Sequence, residues 1–201
     1  LVLFSQVSLA AGILYLVHHV VTMSALLLTT GAIEHTYGSG RLEHLSGLAR
    51  RDPWVMAVMA LGLFSLVGLP PTSGLWGKVG LLRASAERLV AEQPILGWAA
   101  ILAVIVASVG SLLGLQRVWR KMAWGEDLRT YRPDDPATGR GAAVPLPDST
   151  RVPMRLLAPG AAMLVVSVAM FVGIGAVLPL TEAAAAGLLD VSAYIEAVMS
   201  A

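Results

Sequence analysis

The feature that most constrains this fold is an apolar segment interrupted by prolines and glycines, SLVGLPPTSGLWGKVGLL at residues 65–82. Pro70 and Pro71 lack an amide donor, and each pushes the preceding residue out of the helical region of backbone conformation. A helix must therefore stop before this pair and restart after it, with the break lying between Gly68 and Gly74. Within hydrocarbon, such a break is tolerated only where it is buried in protein or faces water, because its unpaired backbone groups have no partner in lipid.

A lysine, Lys78, follows this break by about one helical turn. A charged side chain at membrane depth is costly and needs water or a counter-charge, so such residues commonly mark ion paths. The break and the lysine together predict a water-accessible ion path. The alternative, on the residues alone, is a surface turn between two shorter spans, with Lys78 extending its ammonium group to the lipid headgroups.

The composition is typical of an integral membrane protein. Of the 201 residues, 56% are hydrophobic and 13% are charged, whereas soluble domains are about 25% charged. The absence of cysteine excludes a disulfide framework, thiolate metal sites and thiol nucleophiles. A net charge of +1 argues against a nucleic-acid partner. The chain begins with Leu inside an uncharged run, without the basic region of a signal peptide, so we expect a fragment that starts within a membrane segment.

Apolar runs separated by charged or proline-rich stretches predict an all-α, polytopic transmembrane bundle. A span needs about 20 residues, so we expect the run at 1–33 to hold one full span and the end of another, with a break near Gly12. The predicted segments are the remnant of a preceding helix at 1–11, a transmembrane helix at 13–33, a cytoplasmic loop at 34–52, a broken transmembrane helix at 53–92, a transmembrane helix at 95–118, a cytoplasmic loop at 119–152, a transmembrane helix at 153–178 and an external amphipathic tail at 180–201. Most lysines and arginines lie in or beside the two loops, and the positive-inside rule makes that side cytoplasmic.

Two adjacent histidines lie inside the span at 13–33. Helical spacing puts His18 beside Thr22 and Tyr15 beside His19. Histidine can take up a proton on one ring nitrogen and release it from the other, so the pair is a candidate proton relay. The alternative is a pair of buried histidines that hydrogen-bond to neighbouring helices. The histidines and carboxylates of this chain lack convincing metal-ligand spacing, and we predict no metal site.

Three stretches carry a resemblance to a known family: YLVHHVVTMSALLLTTGAIE at 15–34, LEHLSGLARRDPW at 42–54 and SLVGLPPTSGLWGK at 65–78. Together they resemble the antiporter-like subunits shared by respiratory complex I, membrane-bound hydrogenases and the multi-subunit Mrp-type sodium/proton antiporters. The histidine pair and the tail at 188–201 look most like the D-type subunits of the Mrp antiporters. The resemblance implies the C-terminal part of an inverted-repeat fold, in a bacterial inner membrane.

The resemblance also implies roles for individual residues. Lys78 matches the lysine that serves this family as the central protonatable group of the half-channel. His19 matches a histidine that passes protons between neighbouring sites. One position departs from the Mrp pattern: the family usually has a lysine four residues after that histidine, and here Met23 occupies the place. A methionine cannot hold or relay a proton.

The function implied by the resemblance is proton translocation within a multi-subunit sodium/proton antiporter. Its partners would be the other subunits of a hetero-oligomeric membrane complex, protons, monovalent cations and the lipid bilayer. Such a subunit is a transporter component rather than an enzyme, and we expect it to carry no cofactor.

Two alternatives stay open. One is a proton-pumping subunit of an NADH-quinone oxidoreductase or a membrane hydrogenase. The redox centres would then belong to partner subunits, because this chain has no cysteine and no phosphate-binding glycine motif. The other is a truncated, non-transporting structural remnant, which is suggested by Met23 and by the absence of the family's first repeat.

Overall fold

The computed structural model describes residues 5–90, 94–125, 128–131, 142 and 144–199, which form a bundle of helices with one short strand pair. The elements are α1 (Gln6–Tyr37), α2 (Leu48–Arg51), α3 (Pro53–Val67), α4 (Gly74–Val90), α5 (Pro94–Ala123), β1 (Thr130–Tyr131), β2 (Val144–Pro145), α6 (Met154–Val172), α7 (Ile174–Leu189) and α8 (Ser192–Met199), with a 3₁₀ turn at Leu42–His44. Of the described helices, α1, α5 and α6 are long and apolar enough to cross a membrane. The predicted all-α transmembrane bundle is confirmed.

Helix α1 is the centre of the bundle, since α3, α4, α6 and α7 all pack against it. Its 32 residues extend about 48 Å at the usual helical rise, which exceeds a hydrocarbon core of about 30 Å. The structure differs here from the predicted division into a remnant at 1–11 and a span at 13–33, because α1 continues through Gly12. A single glycine inside a helix costs only about 1 kcal/mol relative to alanine, which packing against four helices outweighs.

The broken helix consists of α3 and α4, of 15 and 17 residues. Helix α3 ends at Val67, and Gly68 adopts the left-handed conformation with φ 85°. The N–H groups of Gly68 and Leu69 turn back to carbonyls of the preceding turn, which is the hydrogen bonding of a Schellman cap. The backbone resumes a helix at Gly74. The helix thus stops and restarts across the proline pair.

A buried carboxylate ties together the helix ends on the loop side of the bundle. Asp52 precedes α3 and is 4% exposed. Its Oδ2 atom accepts a hydrogen bond from the Tyr37 hydroxyl, at 3.3 Å, and another from the Val152 N–H, at 2.7 Å. Because Tyr37 ends α1 and Val152 lies just before α6, these bonds hold the end of α1 and the starts of α3 and α6 at the same level.

The segment predicted as a loop at 119–152 is partly structured where the structure describes it. Helix α5 continues to Ala123, and β1 pairs antiparallel with β2. Leu128, Leu146 and Val152 are buried in an apolar core at this end of the bundle. The loop was predicted from the polar composition of the whole stretch. The three buried apolar side chains nevertheless anchor its described ends to the bundle. Residues 132–141 lie outside the described residues.

The last predicted span at 153–178 and the tail at 180–201 divide differently in the structure. Helix α6 ends at Val172, and after Gly173 a new helix, α7, runs from Ile174 to Leu189. The predicted boundary therefore falls inside α7. Glycine is a poor helix former, and the break at Gly173 lets α7 take its own direction and pack against α1.

Candidate functional site

Five buried side chains form a closed hydrogen-bonded ring beside the helix break. His18 Nδ1 lies 2.9 Å from Ser73 Oγ, which lies 2.9 Å from Ser167 Oγ. Ser167 Oγ lies 3.1 Å from Ser65 Oγ, which lies 2.8 Å from Thr22 Oγ1. Thr22 Oγ1 closes the ring at 3.4 Å from His18 Nδ1. Each member is at most 1% exposed. We call these five residues the polar ring.

The polar ring joins four parts of the fold. His18 and Thr22 come from α1, where their spacing of four residues puts them on one face, as predicted from the sequence. Ser65 lies in the last turn of α3, Ser73 lies in the break, and Ser167 comes from α6. The ring therefore exists only when α1, both sides of the break and α6 pack together.

Lys78 lies on the first turns of α4, and its ammonium group is held at the end of α3. Its Nζ donates to the carbonyl oxygen of Val67, at 2.5 Å, and to Ser108 Oγ of α5, at 2.9 Å. The helical partner of the Val67 carbonyl would be the N–H of residue 71, which is a proline and has none. The lysine thus satisfies an orphan carbonyl at the negative end of the α3 dipole.

Two glycines of the break bring the lysine and the histidine to the same stretch of backbone. A Cβ atom at Gly68 would lie 2.9 Å from Lys78 Cδ and 3.2 Å from the carbonyl oxygen of Gly74. A Cβ atom at Gly74 would overlap the Ser65 carbonyl oxygen and lie 2.8 Å from His18 Cε1. Only glycine allows these approaches. The predicted break residues Gly68 and Gly74 therefore position the predicted proton-path residues.

Pro70 and Pro71 are exposed at the outer edge of the break, whereas Thr72 and Ser73 beside them are buried. The prolines interrupt the helix without contributing a polar group to the ring. Their effect on the site is indirect, because Pro71 leaves the Val67 carbonyl without a backbone donor.

The second predicted histidine, His19, lies outside the ring. It is exposed and lines a largely apolar groove of about 520 Å³ with Tyr15, Leu81 and Leu188. Its imidazole stacks on the Tyr15 ring at a centroid separation of 6.3 Å and an interplanar angle of 22°. The adjacent histidines therefore point in different directions, His18 into the bundle and His19 out of it. Met23 is half-buried on α1.

Ser65, Ser73, Ser167 and Ser108 were not singled out in the sequence. A serine in an apolar helix commonly bonds the carbonyl four residues earlier, as Ser111 does with the Ala107 carbonyl at 2.8 Å. In the sequence, such a serine cannot be distinguished from one that forms a hydrogen bond to another helix. The only local signal was the spacing of His18 and Thr22, which indicated a polar face without naming its partners.

A ring of this kind can move a proton. Each hydroxyl donates one hydrogen bond and accepts others, and neutral imidazole donates from one nitrogen and accepts at the other. An excess proton that reaches one member can therefore pass to the next as that member releases its own proton, and rotation of the hydroxyl groups resets the path. His18 joins the ring through Nδ1 alone. Among the described residues, His, Asp and Glu form no group of three that could hold a metal ion.

Comparisons with known proteins show the family of this chain. A family profile described as NADH:quinone oxidoreductase/Mrp antiporter, transmembrane region, matches residues 1–109. The chain belongs to this antiporter family. The matched part contains α1, the helix break and Lys78, so four of the five ring members and the lysine lie within it.

Curated relatives fall into both branches of the antiporter family. The chain is 29% identical to the D-type subunit of the Na(+)/H(+) antiporter of Bacillus subtilis over 96% of its own length and 34% of the relative's. It is 28% identical to the D-type subunit of the Na(+)/H(+) antiporter of Alkalihalophilus pseudofirmus, over 64% of the chain and 24% of the relative. It is 37% identical to the N-type subunit of the NADH-quinone oxidoreductase of Salinispora tropica, over 63% of the chain and 23% of the relative. The chain thus spans 23–34% of the length of these relatives.

Proposed function

We propose that this chain forms one half-channel of a proton-translocating membrane subunit in a multi-subunit sodium/proton antiporter. The observation that carries the proposal is the polar ring at the break, with Lys78 packed against Gly68 of that break. The similarity to two D-type antiporter subunits favours a monovalent cation as the coupled ion. The partners are the other subunits of the complex, and the location is a bacterial inner membrane.

In the proposed mechanism, water reaches the break and Lys78 takes up and releases a proton there. The Val67 carbonyl and the Ser108 hydroxyl accept hydrogen bonds from the ammonium group. These bonds stabilise the charged form of Lys78 until the proton is released. Water at the break carries the proton from Lys78 to His18, and the ring hydroxyls carry it between α1, α3 and α6. We assign the exchange with neighbouring segments or subunits to His19, which points outward. Met23 takes no part in the path.

The proposed orientation places the loops at 34–52 and 119–152 in the cytoplasm. Its support is the concentration of arginines at this end of the bundle. The orientation is tested by introducing single cysteines at Gly40 and Asp148 and labelling them with a membrane-impermeant reagent. Everted vesicles should label at both positions and right-side-out vesicles at neither.

The function is tested by sodium-dependent proton exchange in everted vesicles from a host that lacks its own antiporters, with the complete complex carrying this chain. Lys78→Ala should abolish exchange while the complex still assembles. The matched control is Lys121→Ala, which removes the other lysine of the chain; Lys121 lies 3.5 Å from Glu43 at the exposed loop end. Exchange that survives Lys78→Ala in a normally assembled complex would overturn the proposal.

A second candidate is a proton-pumping subunit of an NADH-quinone oxidoreductase, which the 37% identity to an N-type subunit of such an enzyme favours. In that assembly the same ring and lysine would move protons driven by electron transfer in partner subunits. Proton pumping that requires NADH and a quinone, and that does not respond to sodium, would assign the chain to this branch. Lys78→Ala should abolish pumping there as well.

A further inference from the structure

The loop end of the bundle carries a cavity whose described charged lining residues are mostly arginines. The cavity holds about 690 Å³ and is lined by four arginines, Arg50, Arg51, Arg129 and Arg151, with one carboxylate, Asp148. Because guanidinium groups are planar forks of N–H donors, several of them around one cavity match a phosphate group in shape and charge.

Three of these arginines donate to backbone carbonyls, and Arg50 donates to that of Gly125 at 3.4 Å. Arg51 donates to the carbonyl oxygens of Leu128 and Pro147. Arg151 donates to those of Asp148 and Thr150, each at 2.8 Å. Within the described part of the chain, Arg51 Nε is a buried nitrogen without a hydrogen-bond partner. A guanidinium that backbone carbonyls hold in place loses little conformational freedom when its remaining donors receive an acceptor.

An apolar groove lies between α3 and α6. It holds about 420 Å³ and runs along successive turns of both helices, from Trp54 and Met154 at the loop end to Leu61 and Val168. Trp54 and Met154 are 70% and 64% exposed. A narrow apolar groove between two membrane helices has the shape and chemistry of a site for a lipid acyl chain.

The arginine cavity and this groove begin at the same end of the bundle. Arg51 precedes Trp54 by three residues, and Arg151 precedes Met154 by three. The hydrogen bond from the Val152 N–H to Asp52 holds the two segments side by side. The arginines therefore lie on the loop side of Trp54 and Met154, at the end where the apolar groove begins.

We infer that this site binds an anionic phospholipid, with the headgroup phosphate in the arginine cavity and an acyl chain in the groove between α3 and α6. A free phosphate ion would use the cavity and leave the groove empty. A zwitterionic lipid would fill the groove but gain less from four arginines. Each Lys or Arg near the membrane surface contributes about 1 kcal/mol to the free energy with which a basic segment binds anionic lipids.

The binding test uses the purified membrane complex that carries this chain, reconstituted in phosphatidylcholine vesicles with spin-labelled phosphatidylglycerol. The fraction of immobilised probe is measured against probe concentration. The double variant Arg129→Gln/Arg151→Gln should weaken binding about 30-fold, at about fivefold for each arginine. The matched control is Arg117→Gln/Arg120→Gln, which removes two exposed arginines of α5 outside the cavity and should bind as the parent does.

A second pair of variants tests the groove with all arginines intact. Ala161→Phe fills the groove and should lower phosphatidylglycerol binding, whereas Ala107→Phe, on the exposed face of α5, should leave it unchanged. Three results would each overturn the inference. The first is that both double-arginine variants bind phosphatidylglycerol equally well. The second is that the parent immobilises labelled phosphatidylcholine as strongly as labelled phosphatidylglycerol. The third is that Arg129→Gln/Arg151→Gln loses binding while Ala161→Phe keeps it. The last of these would indicate a site for phosphate alone.

Discussion

The polar ring at the break and the arginine cavity at the loop end are both polar clusters, yet they are built from different groups. The ring uses hydroxyls and one imidazole, each hydrogen-bonded to other members and shielded from solvent. The cavity uses guanidinium groups that bond backbone carbonyls and stay open to the surroundings. Deep in the bundle a charge is costly and the described structure holds only Lys78 there, bonded to a carbonyl and a hydroxyl, whereas near the membrane surface water and headgroups stabilise several charges. Depth in the bilayer therefore decides which polar chemistry each region uses.

The largest expected effect comes from Gly74→Ala, because its new Cβ would overlap the Ser65 carbonyl and crowd His18. We expect a loss of about 3 kcal/mol in the free energy of unfolding and loss of transport. Thermal unfolding of the purified complex measures the first effect.

The matched control is Gly114→Ala on α5, where a Cβ meets nothing within 4 Å. It should be neutral or stabilising by about 1 kcal/mol, from helix propensity. Equal destabilisation by both changes would show that the close packing at the break is unimportant.

The two histidines should differ in their effect on transport. His18→Gln removes the titratable member of the ring, and we expect the exchange rate to fall about 100-fold, the usual scale for a lost proton-transfer group. His19→Gln changes an exposed side chain and should have a smaller effect. Exchange assays on both variants in everted vesicles make the comparison, and the reverse order would move the path to the outer face of α1.

Ser167→Ala opens the ring, since Ser167 Oγ bonds both Ser65 and Ser73. Leaving these buried hydroxyls short of a partner should cost about 2 kcal/mol of stability and slow proton exchange. Ser111→Ala is its control, because Ser111 bonds only within its own helix in the described structure. We expect that change to stay within about 0.5 kcal/mol. Unaltered exchange in Ser167→Ala would remove α6 from the path.

The smallest effect should come from Asp52→Asn at the loop end. Asparagine keeps an oxygen acceptor for Tyr37 or Val152 but loses the charge that strengthens both bonds. We expect a loss of about 1 kcal/mol in the free energy of unfolding, with the exchange rate unchanged. Asp148→Asn, at an exposed position, is the control for loss of a carboxylate. A large fall in transport from Asp52→Asn would mean that the two regions are coupled.

Part of this site follows from local pattern alone. The proline pair predicts the stop and restart between α3 and α4, and the spacing of His18 and Thr22 predicts their shared face. The boundaries that the sequence misplaced lie at Gly12 and Gly173. Both are glycines in apolar runs, where one continues a helix and the other ends it. Tertiary packing decides between these outcomes, because the intrinsic cost of one glycine is small.

The sequence by itself determined the class of protein, the position of the helix break and the presence of a lysine beside it. These follow from composition and from the backbone chemistry of proline, which act over a few residues. Only the tertiary structure decided that His18 faces the bundle and His19 faces outward, and that Ser65, Ser73 and Ser167 meet His18. Ser73 and Ser167 are 94 residues apart in the chain, and no local rule relates them. Their contact arises because buried hydroxyls in a membrane bundle must find partners on neighbouring helices.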